Sequence, residues 1–313
     1  SEIAEALTDL GRTTRGRRVA KFWRAAGRRG AVREDELRAL AESGSRDLPA
    51  LWAAARLGIT LPALDLSNER LTAVAPPRWA NDILALGRTG DVVLAWRSDL
   101  ERAGAPSPAW LGLVDLAALP PLDAIPLLIR GEPRLATGQW GGLPRSLLES
   151  YLPLPLRTEI EQAATRGGVP PWVLAALVRQ ESAWAPRAVS PAGAVGLAQV
   201  LPATANELIR RHRDVFRGAA GLSDPATNLT AGAMLLASWQ KAFKGSWTAG
   251  LAAYNAGERR VRTIWERAGR KDGAEFVEAL EIPETWDYVH RVVMLAEGYR
   301  ALYWPEGRGY PWT

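Results

Sequence analysis

The stretch Gln180-Glu181-Ser182-Ala183-Trp184-Ala185-Pro186, continued by Ser190-Pro191-Ala192-Gly193-Ala194-Val195-Gly196-Leu197-Ala198-Gln199, decides the reading of this chain. Just upstream, Pro170 and Pro171 suit a first helical turn, and Trp172, Leu174, Leu177 and Val178 follow at helical spacing. The pattern predicts a helix ending near Glu181, then a loop of small residues ending in an amide. Leu177, Val178 and Trp184 can partly desolvate that carboxylate, while the small residues let a bulky ligand approach the backbone.

The surrounding half continues as helices. Thr204-Ala205-Asn206-Glu207 has the form of a capping box, and Asp224-Pro225 predicts the start of a long helix through Ala233, Leu236 and Trp239. A last helix is expected from about Thr285 to Tyr303, with Val289, Val292, Val293, Ala296 and Tyr299 on its inner stripe.

The N-terminal half reads as short helices broken by Gly and Pro. One face gathers Ile3, Ala6, Leu7 and Leu10; another gathers Leu48, Leu51, Trp52 and Ala55 behind an Asp47 cap. Further helices are expected over 77–86, 91–102, 108–116 and 122–128, and Val92-Val93-Leu94 is absorbed into one of them. Residues 131–143, rich in Gly, Pro and polar types, read as a joint. The prolines after Tyr151 stop the helix there, which places the domain boundary near 155. The expected fold is all-α: an N-terminal superhelix of stacked helix pairs over 1–155 and a second helical domain over 156–313.

Composition bounds the function. The 313 residues suit two domains, and 47% hydrophobic with 23% charged residues is the balance of a globular protein. No apolar run reaches the roughly 20 residues that span a bilayer, so stable membrane insertion is not expected. Zero cysteines exclude disulfides, thiol catalysis and thiolate zinc sites. His212 and His290 are far apart and lack acidic-ligand spacing, so neither a metal nor another cofactor is expected. The net charge of +5 is carried mostly by arginine, densest from Arg12 to Arg18 and at Arg24, Arg28 and Arg29. Val19, Phe22 and Trp23 interleave with this cluster at helical spacing and no nucleic-acid motif accompanies it, so it reads as a solvated helix face.

Downstream, Ala253-Tyr254-Asn255-Ala256-Gly257 and the stretch from Phe276 through Glu284-Thr285-Trp286-Asp287-Tyr288-Val289 complete a set of motifs. With the opening stretch, in the form E-S-x-aromatic-x-P-x-A-x-S-x-x-G-A-x-G-L-x-Q, they resemble the catalytic core of soluble lytic murein transglycosylases. That family cleaves bacterial peptidoglycan with a lysozyme-like domain. The resemblance covers roughly the C-terminal half and departs at three points. Ala198 and Leu201 stand where the family has methionine, and Pro283 is displaced by two positions.

The resemblance implies that Glu181 is the sole catalytic carboxylate, acting first as acid and then as base, with closure of a 1,6-anhydro ring on N-acetylmuramic acid. It implies substrate-binding roles for Ser190, Gly196, Gln199, Tyr254, Asn255 and Glu284. Taken alone, these residues have simpler readings: Ser190 as a turn residue, the glycines as turn glycines, Asn255 with Gly257 as a helix cap, and Glu284 as a carboxylate favoured by a helix N-terminus. Asn228, Leu229 and Gly232 are assigned to packing. The implied partner is the peptidoglycan glycan strand, not nucleic acid, and no protein partner is indicated. The implied place is the periplasm or cell envelope, reached with a leader absent from this numbering. The alternatives are a goose-type lysozyme hydrolase, a non-catalytic murein-binding scaffold and, on charge alone, a nucleic-acid-binding helical repeat.

Overall fold

The computed structural model describes residues 13–69, 77–104, 120–216, 221–270 and 273–307, with Trp312. Among these residues the chain is all-α, and the only extended pairing is isolated bridges. The expected helices over Ile3 to Leu10 and over 108–116 lie outside the described residues. Contacts gather the chain into two compact units that do not follow a single cut at 155: residues 1–64 with 154–313, and residues 65–153.

In the smaller unit, α4 (Arg78–Ala85) packs on α5 (Thr89–Ala103), and α6 (Pro121–Gly131) packs on a 3-10 turn (Pro133–Thr137) and on α7 (Arg145–Tyr151). The expected joint over 131–143 is instead a packed corner. Trp140 is fully buried there, its indole N–H donates to the Leu135 carbonyl at 3.1 Å, and its ring meets Tyr151 edge-on. A buried tryptophan removes a large apolar area from water, so this turn is held by its own core.

The larger unit begins with α1 (Thr14–Ala26), α2 (Gly30–Ala41) and α3 (Leu48–Leu57). The arginine-rich α1 buries Val19 and Phe22 as its spacing predicts, and Asp47 caps α3 by accepting from the Ala50 amide at 3.2 Å. After residue 154 come α8 (Arg157–Gly167), α9 (Pro171–Ser182), α10 (Pro202–Arg211), α11 (Pro225–Ala242), α12 (Trp247–Ala256), α13 (Glu258–Arg267), α14 (Ala274–Glu278) and α15 (Pro283–Tyr303). Asp224 caps α11 through the Thr227 amide at 2.8 Å, as expected. The expected stripe of α15 from Val289 to Tyr299 is fully buried.

One helix start differs from expectation. The capping box at Thr204 does not form, because Pro202 already occupies the first turn of α10 with its φ preset for a helix. Glu207 instead pairs with Arg210 at 2.7 Å and Arg211 at 2.6 Å.

α9 is buried on every side from Val173 to Arg179, the signature of a central helix rather than a surface one. It packs extensively against α15, while α8 and α12 both pack on α11 and α12 packs on α15. This bundle holds one end of α9, where Glu181 sits, between the loop over 183–201 and the helices α12 and α15.

Candidate active site

Glu181 is the penultimate residue of α9. The helix stops because Ala183 and Trp184 take φ of 48° and 67°, left-handed values that cost non-glycine residues about 1–3 kcal/mol each. Trp184 holds that turn: it is buried, and its indole N–H donates to the Tyr299 hydroxyl at 3.1 Å. Burial lifts the Glu181 carboxyl from the ordinary carboxylate range to about 7, opposed by one hydrogen bond that favours the charged form. The donor of that bond is the Tyr288 hydroxyl on α15, 2.5 Å from Oε1.

The loop after the acid is tied to itself. Ser190 donates its backbone N–H to the Ala194 carbonyl at 2.9 Å, and its Oγ accepts from the Ala194 amide at 3.0 Å. Asn228 on α11 clamps the next turn, with Oδ1 accepting from the Ala198 amide at 2.8 Å and Nδ2 donating to the Val195 carbonyl at 2.8 Å. Gln199, at φ 48°, spends its amide protons inside the loop, on the Ala188 carbonyl at 3.1 Å and the Gly196 carbonyl at 2.9 Å. Its carbonyl oxygen is then what it can offer a ligand.

Across from the loop, α12 carries Tyr254 and Asn255 in its last turn. The Tyr254 hydroxyl donates to the Ala198 carbonyl at 2.7 Å, and its ring stands edge-on to Trp239 with centroids 5.3 Å apart. Asn255 accepts at Oδ1 from the buried Thr285 hydroxyl at 2.7 Å. Gly257 caps α12, its N–H donating to the Ala253 carbonyl.

These groups line a cavity of about 230 Å³, together with Ala192, Ala194, Leu201, Thr204, Leu235 and Trp239. Among the described residues lining it, Glu181 is the one acidic side chain. Glu181, Ser190, Gln199, Tyr254 and Asn255 are therefore brought together. Gly196 and Glu284 are not part of this lining. The reason at Gly196 is that a β-carbon there would run into the Asn228 amide, so the glycine admits a protein side chain rather than a sugar. Glu284 is exposed in the first turn of α15, the place a helix N-terminus favours a carboxylate.

The two positions that lack methionine differ in place. Ala198 is fully buried against Gly232, where any β-carbon would collide with it, while Leu201 is 44% exposed and lines the cavity. Tyr288, Trp239 and Thr285 are the functional neighbours that residue spacing did not single out. Tyr288 and Thr285 stand in the same stretch as Glu284, from Glu284 to Val289.

The sequence around this cavity is similar to known proteins. Residues 158–277 match the family model described as the transglycosylase SLT domain. Those residues carry an SLT domain. The chain is 40% identical over 127 residues to the soluble lytic murein transglycosylase of Salmonella typhimurium, covering 40% of this chain and 20% of that protein. It is 36% identical over 155 residues to the Escherichia coli enzyme of the same name, covering 49% of this chain and 24% of that one.

Among solved structures, the 70 kDa soluble lytic transglycosylase of Escherichia coli aligns at TM-score 0.62 and 26% identity, over 90% of this chain and 46% of that one. An inactive glutamate-to-glutamine variant of lytic transglycosylase Slt from Pseudomonas aeruginosa aligns at TM-score 0.69 and 24% identity, over 93% and 47%. The chain thus spans about half the length of these solved relatives. The matches agree with the all-α, lysozyme-like architecture around the SLT site.

Proposed function

We propose that this protein is a peptidoglycan lytic transglycosylase, cleaving between N-acetylmuramic acid and N-acetylglucosamine with formation of the 1,6-anhydro ring. One observation carries the reading: a single carboxyl, lifted to about 7, in a cavity whose other described lining residues include no acid. Glycosidases that use water or a protein nucleophile need two carboxylates at set separations. A single carboxyl suits a reaction in which the substrate supplies the nucleophile.

In this mechanism Glu181 begins protonated, which a pKa near 7 permits at neutral pH, and gives its proton to the glycosidic oxygen as the C1–O bond breaks. The substrate's own acetamido group stabilises the positive centre, with the Ser190 hydroxyl placed to orient it. Glu181, now a carboxylate, takes the proton from the C6 hydroxyl, which bonds to C1. The acid is restored and no water is consumed. Tyr254, Asn255 and the Gln199 carbonyl position the sugars. The names of the sequence relatives support the reading, as does the geometry of the acid.

The substrate is then the glycan strand, and the place of action is the bacterial envelope. Among the described residues no helix is long and apolar enough to cross a membrane. The test is digestion of purified sacculi followed by mass spectrometry. Anhydro-muropeptides, one water lighter than hydrolysed ones, are expected; hydrolysed products alone would make the protein a lysozyme of the same fold.

A further inference from the structure

We propose that a second cavity, between α2 and α3, is a binding site for the free end of an amino acid, a carboxylate and an ammonium on one carbon. The cavity holds about 300 Å³, more than the one at Glu181, and is lined by Gly30, Arg33, Glu34, Leu37, Arg56 and Leu57. None of these residues enters the reaction described above.

Two arginines line one space. Arg33 is half-buried, and among the described residues it has neither an ion-pair nor a hydrogen-bond partner. A guanidinium drawn partly out of water without an acceptor is held at a cost that a bound carboxylate removes. Arg56 comes from the last turn of α3. Its Nη2 donates to the Glu275 carboxylate on α14 at 2.7 Å, which fixes the side chain and leaves Nε and Nη1 for a ligand. Arginine presents planar forks that match a carboxylate, so two of them on one cavity favour that group.

Glu34 sets what else the ligand carries. Its Oε1 accepts from Arg38 at 3.2 Å, and Oε2 is left to face the space. A purely anionic ligand is repelled there, whereas an ammonium beside the carboxylate meets an acceptor. Leu37, 1% exposed, and the half-buried Leu57 add an apolar surface for the carbon chain. Two cations, one anion and an apolar floor match the head of an amino acid better than phosphate, whose charge has one sign. A free amino acid and the amino-acid end of a peptide stem on a glycan strand share this chemistry.

The test uses the full chain and follows the Arg33 Nε–Hε signal by NMR, assigned by its loss in Arg33→Lys. Alanine, N-acetylalanine, alanine amide and inorganic phosphate are titrated in turn. Alanine should shift the signal saturably. N-acetylalanine, which lacks the ammonium, and alanine amide, which lacks the carboxylate, should each bind about tenfold more weakly. Glu34→Gln should weaken alanine about tenfold and leave N-acetylalanine unweakened, while Arg33→Gln, read at the Arg56 signal, should weaken both. Phosphate binding as tightly as alanine, or no saturable shift with any probe, overturns the proposal. The source is separated by a purified muropeptide whose stem ends in a free amino-acid head. Tighter binding than alanine assigns the stem, and equal or weaker binding assigns the free amino acid. The probe series on the unmodified chain decides the question even where a variant fails to fold. It needs no turnover, so a protein that releases no muropeptide from sacculi fails the activity reading and leaves this one to the titrations.

Discussion

The Asn228 side chain fills the space that a β-carbon on Gly196 would need, while clamping the loop that carries Gln199. The contact joins α11 to the loop after the acid. It makes Gly196 a packing residue with a double constraint, since its φ of 80° also disfavours any L side chain. Gly196→Ala is therefore expected to destabilise by about 2–4 kcal/mol from strain and overlap together. Chemical denaturation would check this. The same change at Gly193, where φ is also 80° but nothing lies within 4 Å, should cost clearly less. Equal costs at the two glycines would show that Asn228 is not the obstacle.

Glu181 makes a stability prediction that is independent of any substrate. Its carboxyl titrates near 4.5 unfolded and at about 7 folded, so between those values the native state holds the proton that the unfolded state has lost. Stability contributed by the protonated form is full below 4.5 and lost as pH rises through 7. At 1.36 kcal/mol per unit this amounts to roughly 3 kcal/mol. Glu181→Gln keeps an acceptor for Tyr288 and carries no charge. It should match the parent near pH 4, exceed its stability by up to roughly that amount at pH 8, and release no muropeptide at any pH. Equal stabilities at pH 8 would mean that the carboxyl is not desolvated. Turnover of the parent should decline above pH 7, as the proton donor is lost.

Much of this was legible from residues. Asp47 and Asp224 cap where they stand in sequence because a short carboxylate before a helix has one local use. The apolar stripe of α15 and the burial of α9 follow from spacing and composition. Local cues compete, however, and Pro202 overrode the Thr204 box two residues earlier. Tertiary register is harder still. Glu284 and Tyr288 lie one turn apart on the same helix, and only the crossing of α15 over α9 decides which of them reaches Glu181. Similarly, a glycine opposite a sugar and a glycine opposite Asn228 look alike in sequence.

The loop amide and the cavity tyrosine should separate on substitution. Tyr254→Phe keeps the ring against Trp239 and removes one donor from the Ala198 carbonyl, a loss of about 1–2 kcal/mol in stability. Gln199→Ala removes two bonds that close the turn over 188–199, so it should cost more and weaken turnover through loop disorder. Gln199→Glu retains the carbonyl-type acceptor but not the donors, and should resemble Gln199→Ala in stability. A Gln199→Glu variant as stable as the parent would show that the two donor bonds do not hold the loop. Thermal melts alongside muropeptide release would separate loop from contact effects.

The packing of α1 and α3 behind α15, through Arg15 and Trp52, is a brace with its own pH dependence. His290 is 1% exposed, and its Nδ1 has no hydrogen-bond partner. Burial lowers its pKa, as does the Arg15 charge, while Glu278, with an oxygen 3.5 Å from Nε2, and Asp47 act in the opposite direction. The net direction is downward, so the folded protein keeps His290 neutral at pH values where the unfolded chain is protonated. Its stabilising contribution is present above 6.5, the unfolded value, and is lost as pH falls toward the folded one. His290→Phe keeps an aromatic ring between Trp52 and Trp286 and removes the titration together with a buried nitrogen, Nδ1, that has no hydrogen-bond partner. The variant should be as stable as the parent or more so at pH 7.5, with the gap widening as pH drops to 5. Because α15 also carries Tyr288, acid loosening of this brace should appear as a loss of near-ultraviolet circular dichroism from the tryptophans before global unfolding. Parallel stability curves for parent and His290→Phe from pH 5 to 7.5 would rule out His290 as the titrating group and leave the acid limb to the carboxylates.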